Sequence, residues 1–114
     1  MSEFIYLYRG LNTSALSPEE MQRTLEKWTA WFKELGEKGH LKTPGDPLEQ
    51  GGRVIRGKQK TVTDGPYAEA KDVVGGYSVI MAKDITEALE LSKSCPILEA
   101  EGSVEIRPIQ LFGN

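Results

Sequence analysis

One cysteine, one histidine and no long apolar run are the first constraints on this chain of 114 residues. A lone Cys95 can form no internal disulfide and supplies no multi-thiolate metal site, so stability must come from packing. No stretch approaches the roughly 20 apolar residues that span a bilayer, and the first residues carry neither the basic nor the apolar segment of a secretory signal. The expected location is the cytoplasm. Bases do not exceed acids: 14 Lys and Arg stand against 17 Asp and Glu, interspersed, for a net charge of −3. A phosphate backbone would require a basic stripe, so nucleic acid is not an expected partner. Neither Gly-x-Gly-x-x-Gly nor Gly-Lys-Ser/Thr occurs, and one histidine among scattered carboxylates has no ligand spacing. No cofactor and no metal are expected.

What is present suffices for one ordinary core. Hydrophobic residues make up 39% and aromatics 8%, and the length suits a single domain over 1–114. Residues 3–9 are aromatic and β-branched on both faces, Phe4, Tyr6 and Tyr8 opposing Ile5 and Leu7, which predicts a strand buried on both sides. Ser17-Pro18-Glu19-Glu20 is a capping box with proline at the first helical position. The helix it opens carries Met21, Leu25, Trp28, Phe32 and Leu35 as an apolar stripe, with Trp31 at its flank, and ends at Gly36 and Gly39. Residues 40–52, with two prolines and three glycines, read as an ordered loop with a short strand at its start. Arg53–Arg56 and Lys60–Thr63 flank Gly57-Lys58-Gln59 as a hairpin. Residues 76–82 form another strand apolar on both faces. Asp84 caps a second helix with Ile85, Ala88, Leu89 and Ser92 on its inner face, ending before Pro96. Residues 103–111 alternate as a half-buried strand. The order β, α, hairpin, β, α, β predicts an α+β, ferredoxin-like antiparallel sheet with two helices on one face and an inserted hairpin.

Helices on one face leave the other open. Phe4, Tyr6, Tyr8 and the 76–82 strand are expected to form an apolar patch there, covered either by a second copy, giving a homodimer with facing sheets, or by the 40–52 loop.

The densest chemistry lies in Thr61-Val62-Thr63-Asp64-Gly65-Pro66-Tyr67-Ala68-Glu69-Ala70-Lys71-Asp72-Val73-Val74-Gly75-Gly76-Tyr77, where a rigid Asp-Gly-Pro corner is crowded with ionisable side chains. This run resembles the signature of the YCII-related (DGPF) family, Asp-Gly-Pro-Phe followed by Ala-Glu-x-Lys-Glu and then Gly-Gly-aromatic. Tyr67 replaces the Phe and Asp72 the second Glu. The resemblance implies a dimeric α+β barrel and a pocket near the corner, without a substrate. Family members are often encoded beside extracytoplasmic-function sigma factors, which implies a candidate protein partner. Some members of the wider superfamily use a His and Asp pair with the His inside the first helix, a helix that here contains none.

Candidate site residues follow. His40 is either a general acid or base or a helix C-terminal cap. Asp64 either orients an imidazole or caps its own turn. Glu69 and Lys71 bind a small polar ligand or form a structural ion pair, and Tyr67 offers an aromatic wall with a hydroxyl. Arg107 clamps an anionic group or makes a cross-strand salt bridge. Cys95, at a helix end whose dipole disfavours thiolate, belongs to the core. Two functions are compatible with this set: proton-transfer chemistry, an elimination or isomerisation, on a small organic anion with His40 and Asp64 catalytic, or a non-catalytic regulatory module that meets a sigma factor.

Overall fold

The computed structural model describes residues 1–10, 16–66 and 72–111. Tyr67, Glu69 and Lys71, expected at the site, lie outside the described residues. Among the described residues the order is β1 (Ser2–Arg9), α1 (Pro18–Glu37), β2 (Leu41–Thr43), β3 (Gly52–Arg56), β4 (Thr61–Gly65), β5 (Val74–Ala82), α2 (Ile85–Ser92) and β6 (Ser103–Pro108), with a 3₁₀ turn at Pro96–Leu98. Strands β2-β5-β1-β6 form an antiparallel sheet, and β3-β4 pair separately. This is the expected ferredoxin-like α+β arrangement, with the first and third core strands central and the hairpin inserted between β2 and β5.

Helix α1 begins as its capping box dictates. The Glu20 amide donates to Ser17 Oγ (3.1 Å) and the Ser17 amide to Glu20 Oε1 (3.2 Å), and these bonds hold the Glu20 carboxyl below its ordinary value. It ends in a Schellman turn: Gly39 takes a left-handed φ of 79°, its amide bonds Gly36 O, and the His40 amide bonds Leu35 O at 2.9 Å. Glycine suits this position because it carries no Cβ to clash.

The sheet's covered face differs from expectation. Phe4, Tyr6 and Tyr8 do not form the open patch; they lie under the helices, buried with Trp31, Leu35, Ile80, Ala82, Ala88, Cys95 and Ile97. The reason is aromatic complementarity. Tyr6 stacks on Trp31 (centroids 6.3 Å, 17°), and Tyr8 meets Trp28 edge-on at 4.9 Å. Each such pair is worth about 0.5–1.5 kcal/mol beyond its area. Trp31 is therefore central to α1's inner face rather than at its flank, while Leu25 stays exposed. On α2 the buried residues are Ala88 and Ser92, and Ile85 and Leu89 are exposed, so the inner stripe is narrower than the sequence suggested. The open face carries the other alternate set: Ile5 and Leu7 of β1 beside Val79 and Tyr77 of β5, with Glu3 beside Met81. Period-two alternation identifies two faces without saying which one the helices choose.

Both core tyrosines satisfy their hydroxyls. Tyr6 donates to Ala88 O, and Tyr8 donates to Ser78 Oγ at 2.8 Å, whose own hydroxyl donates to Pro44 O at 2.6 Å. Burial pushes both phenols well above their ordinary range and the Cys95 thiol up to about 12.

Candidate functional site

A groove of about 380 Å³ opens between the first turns of α1, the Pro44–Pro47 segment and the start of β5. Its walls are Tyr8, Met21, Leu25, Trp28 and Phe32, with Tyr77 of β5 at its edge. These come from three elements for separable reasons. The Ser17 cap sets where α1 begins, so Met21, Leu25, Trp28 and Phe32 recur along one side of the helix at spacings of three and four. Tyr8 reaches the same place from β1, where it sits opposite Gly76 of β5.

Gly76 makes the depression. On β5 it shares the helix-covered face with Ser78 and Ile80, and with no side chain it leaves the space between the Tyr8 ring and the 44–47 segment unfilled. A glycine inside a strand marks a place where another backbone or a ligand comes close. Here a backbone does: Pro47 bridges Gly76, and the Leu48 amide donates to Gly75 O at 2.8 Å. Gly45 crosses the Tyr77 backbone so tightly, at φ 68°, that a Cβ would lie 1.9 Å from Tyr77 O. The chain Tyr8 to Ser78 to Pro44 O ties the same segment to the core. Asp46, exposed at the rim, is the one carboxylate of the described lining, which includes no Lys, Arg or His.

The residues singled out from sequence do not gather there. His40 lies at the junction of α1 and β2, where its carbonyl accepts from the Met81 amide (2.6 Å) and its Nδ1 bonds Met81 O at 2.8 Å. A carbonyl only accepts, so Nδ1 is the donor in this bond, and Nε2 is the nitrogen left free of it. Asp64 is on the β3–β4 hairpin with its side chain 92% exposed, 3.4 Å from Arg53. Within the one chain the structure gives His40 and Asp64 different partners. Arg107 is exposed on β6, opposite Ile5 on the open face, and is not part of the groove lining. Among the described residues no group of three or more His, Cys, Asp or Glu side chains is placed to hold a metal ion, and no helix is long and apolar enough to cross a membrane.

Sequence reading missed the groove. From sequence Tyr8 belongs to a patch on the open face, Trp28 and Phe32 to a helical stripe, and Gly75-Gly76 to the family signature, with no cavity implied at their meeting point. The available signal was two glycines opening an otherwise apolar strand.

The family description that matches is the YCII-related domain, over residues 3–113. An uncharacterized protein, R00369, of Rhizobium meliloti (strain 1021) is 29% identical over 104 residues, covering 88% of this chain and 84% of that one. Among solved structures, 5-chloro-2-hydroxyhydroquinone dehydrochlorinase (TftG) from Burkholderia phenoliruptrix AC1100, in complex with 2,5-dihydroxybenzoquinone, is similar with 16% identity. That likeness covers 96% of this chain and 94% of the other, with a TM-score of 0.45.

Proposed function

From the premise that this chain belongs to the YCII-related domain family, we propose that it binds a small, flat, largely apolar organic molecule in the groove between α1 and the Pro44–Pro47 segment. The observation that carries this reading is the groove itself: about 380 Å³ walled by Tyr8, Trp28 and Phe32 above a glycine floor. Apolar clefts of this size with few polar groups are the usual form of a small-molecule site. The lining also favours a neutral or cationic ligand over the anion expected from sequence. Asp46 is the one carboxylate of the described lining, Arg107 stands on the open sheet face, and Lys71 lies outside the described residues. Titration with a library of aromatic fragments, followed by amide chemical shifts and Trp fluorescence, tests the reading. Hits should shift the Thr24, Gly45 and Gly76 amides, and Trp28→Ala should weaken them about tenfold, the loss of one ring's stacking. Hits whose shifts fall elsewhere, or that ignore Trp28→Ala, would sink it.

A second reading, proton-transfer catalysis of an elimination or isomerisation, is favoured by the His40 ring being held through Nδ1 on Met81 O, with Nε2 left free of that bond. Met81 O, rather than Asp64, orients the ring within one chain. His40→Ala should then abolish turnover and leave groove binding intact; retained turnover rejects the assignment. If no fragment binds and a pull-down recovers a sigma factor, the regulatory module is favoured instead. For assembly, the half-buried Ile5, Leu7, Tyr77, Val79 and Met81 of the open face support a homodimer with facing sheets, which light scattering of the wild type against Val79→Asp examines.

A further inference from the structure

Among the described residues, the β3–β4 hairpin buries Val54 on one side and turns Ile55 and Val62 outward on the other. It forms a sheet separate from the four-stranded one. Its ladder from Gly52↔Gly65 to Arg56↔Thr61, its turn bond from the Lys60 amide to Gly57 O and its Arg53–Asp64 contact all run within the hairpin. A two-stranded ribbon is marginal in water unless it packs on something. Ile55 and Val62 pair directly across the strands and are 63% and 59% exposed. An apolar β-branched pair held outward on a ribbon is a contact surface.

Charge indicates what it contacts. Residues 52–65 hold four cations, Arg53, Arg56, Lys58 and Lys60, and one carboxylate, Asp64, for a net +3. The whole chain is −3, so everything outside the hairpin sums to −6. The Cα trace measures 47 × 46 × 18 Å, a flat plate, and a plate with a basic ribbon is electrostatically complementary to the rest of another such plate. We infer that the β3–β4 hairpin is an arm that docks on the acidic body of a second copy of this chain, seating Ile55 and Val62 against it while Lys58 and Lys60 pair with its carboxylates. In a twofold dimer the contact occurs twice, each chain giving an arm and receiving one. The inference rests on the self-association proposed above and adds to it the element that fastens the two copies.

The test is sedimentation equilibrium of the wild type and of the double variant K58E/K60E at low and moderate salt. Carbodiimide cross-linking of a mixture of ¹⁵N-labelled and unlabelled protein accompanies it. The inference expects a wild-type dimer that weakens as salt rises, a dissociation constant at least tenfold higher in the variant, and mixed-isotope peptides joining Lys58 or Lys60 to a body carboxylate. The paired variant I55T/V62T should weaken the dimer too, while groove ligands still bind both variants, which shows that they are folded. A monomeric wild type would overturn the self-association and the arm together. A dimer that neither variant disturbs would overturn the arm alone and leave the facing-sheet dimer standing.

Discussion

Adding a single methyl group at Gly45 and at Gly76 should have opposite effects, although the two positions lie on the same groove. At Gly45 the new Cβ would sit 1.9 Å from Tyr77 O and 2.8 Å from its carbonyl carbon, and the residue's φ is 68°. An L side chain in that region costs about 1–2 kcal/mol. Overpacking against backbone that cannot rotate away adds about 1–3 kcal/mol. Gly45→Ala should therefore lose roughly 2–5 kcal/mol, a drop of about 8–20 °C in Tm at around 4 °C per kcal/mol. If the segment lifts away instead, the Leu48 amide loses its bond to Gly75 O and exchanges its proton quickly, and groove ligands are lost. At Gly76 the nearest atoms to a new Cβ are Asp46 O at 3.4 Å, Pro47 Cα at 3.6 Å and Tyr8 Cδ2 at 3.7 Å, ordinary contact distances, with φ outside the left-handed region. Gly76→Ala should leave stability unchanged or raise it by about 0.4–1 kcal/mol through a less free unfolded chain. Because the methyl occupies the groove floor, ligand affinity should fall all the same. Urea denaturation followed by the fluorescence of Trp28 and Trp31, with fragment titration on the same samples, measures both quantities. Equal stability losses for the two variants, or an unharmed Gly45→Ala, would refute the close-approach argument.

Ser78→Ala, at a position with no solvent exposure, strands the Tyr8 hydroxyl and should cost about 1–3 kcal/mol in urea denaturation. Ser17→Ala removes the cap of α1 and should cost about 1 kcal/mol. Since the Glu20 carboxyl is held below its ordinary 4.5, its capping contribution is present above that value and lost as pH falls through the folded one. Glu20→Gln should flatten the acid limb of the stability profile. On the alkaline side, burial holds the Cys95 thiol up to about 12 against an ordinary 9.0. The unfolded chain releases that proton first, so this contribution is whole below pH 9 and drains away toward pH 12. A thiol reagent should accordingly leave Cys95 untouched at pH 8 in the folded protein and label it quickly in urea, and Cys95→Ala should reduce the alkaline slope.

The frame was legible in the residues because its signals are local. Ser17 with Glu20, Asp84 with the Glu87 amide, Gly39 at the end of α1 and the alternation along β1 and β5 each specify an element within a few neighbours. Which face of β1 the helices cover was not local. It depends on Trp28 and Trp31 meeting Tyr6 and Tyr8 across 20 or more residues, a match of ring shapes that periodicity does not encode. The groove escaped for a related reason, since it exists only where Gly76, the 44–47 segment and α1 converge. Asp64 stood out as chemistry because the corner is dense with charge, and His40 because it is the one histidine. Their separate partners, Arg53 and Met81, are tertiary facts.

The hydroxyl relay from Tyr8 through Ser78 to Pro44 O has a kinetic meaning. It pins the segment that forms one wall of the groove to a strand in the middle of the sheet, while Leu48 and Pro47 fasten the same segment to Gly75 and Gly76. A molecule entering the groove therefore meets a wall already in its bound position and spends little of its affinity on ordering it. Association should proceed in one step whose observed rate rises linearly with ligand concentration. Cutting the relay at Ser78 should convert it to a rate that saturates, as closure of a freed wall becomes the slow event.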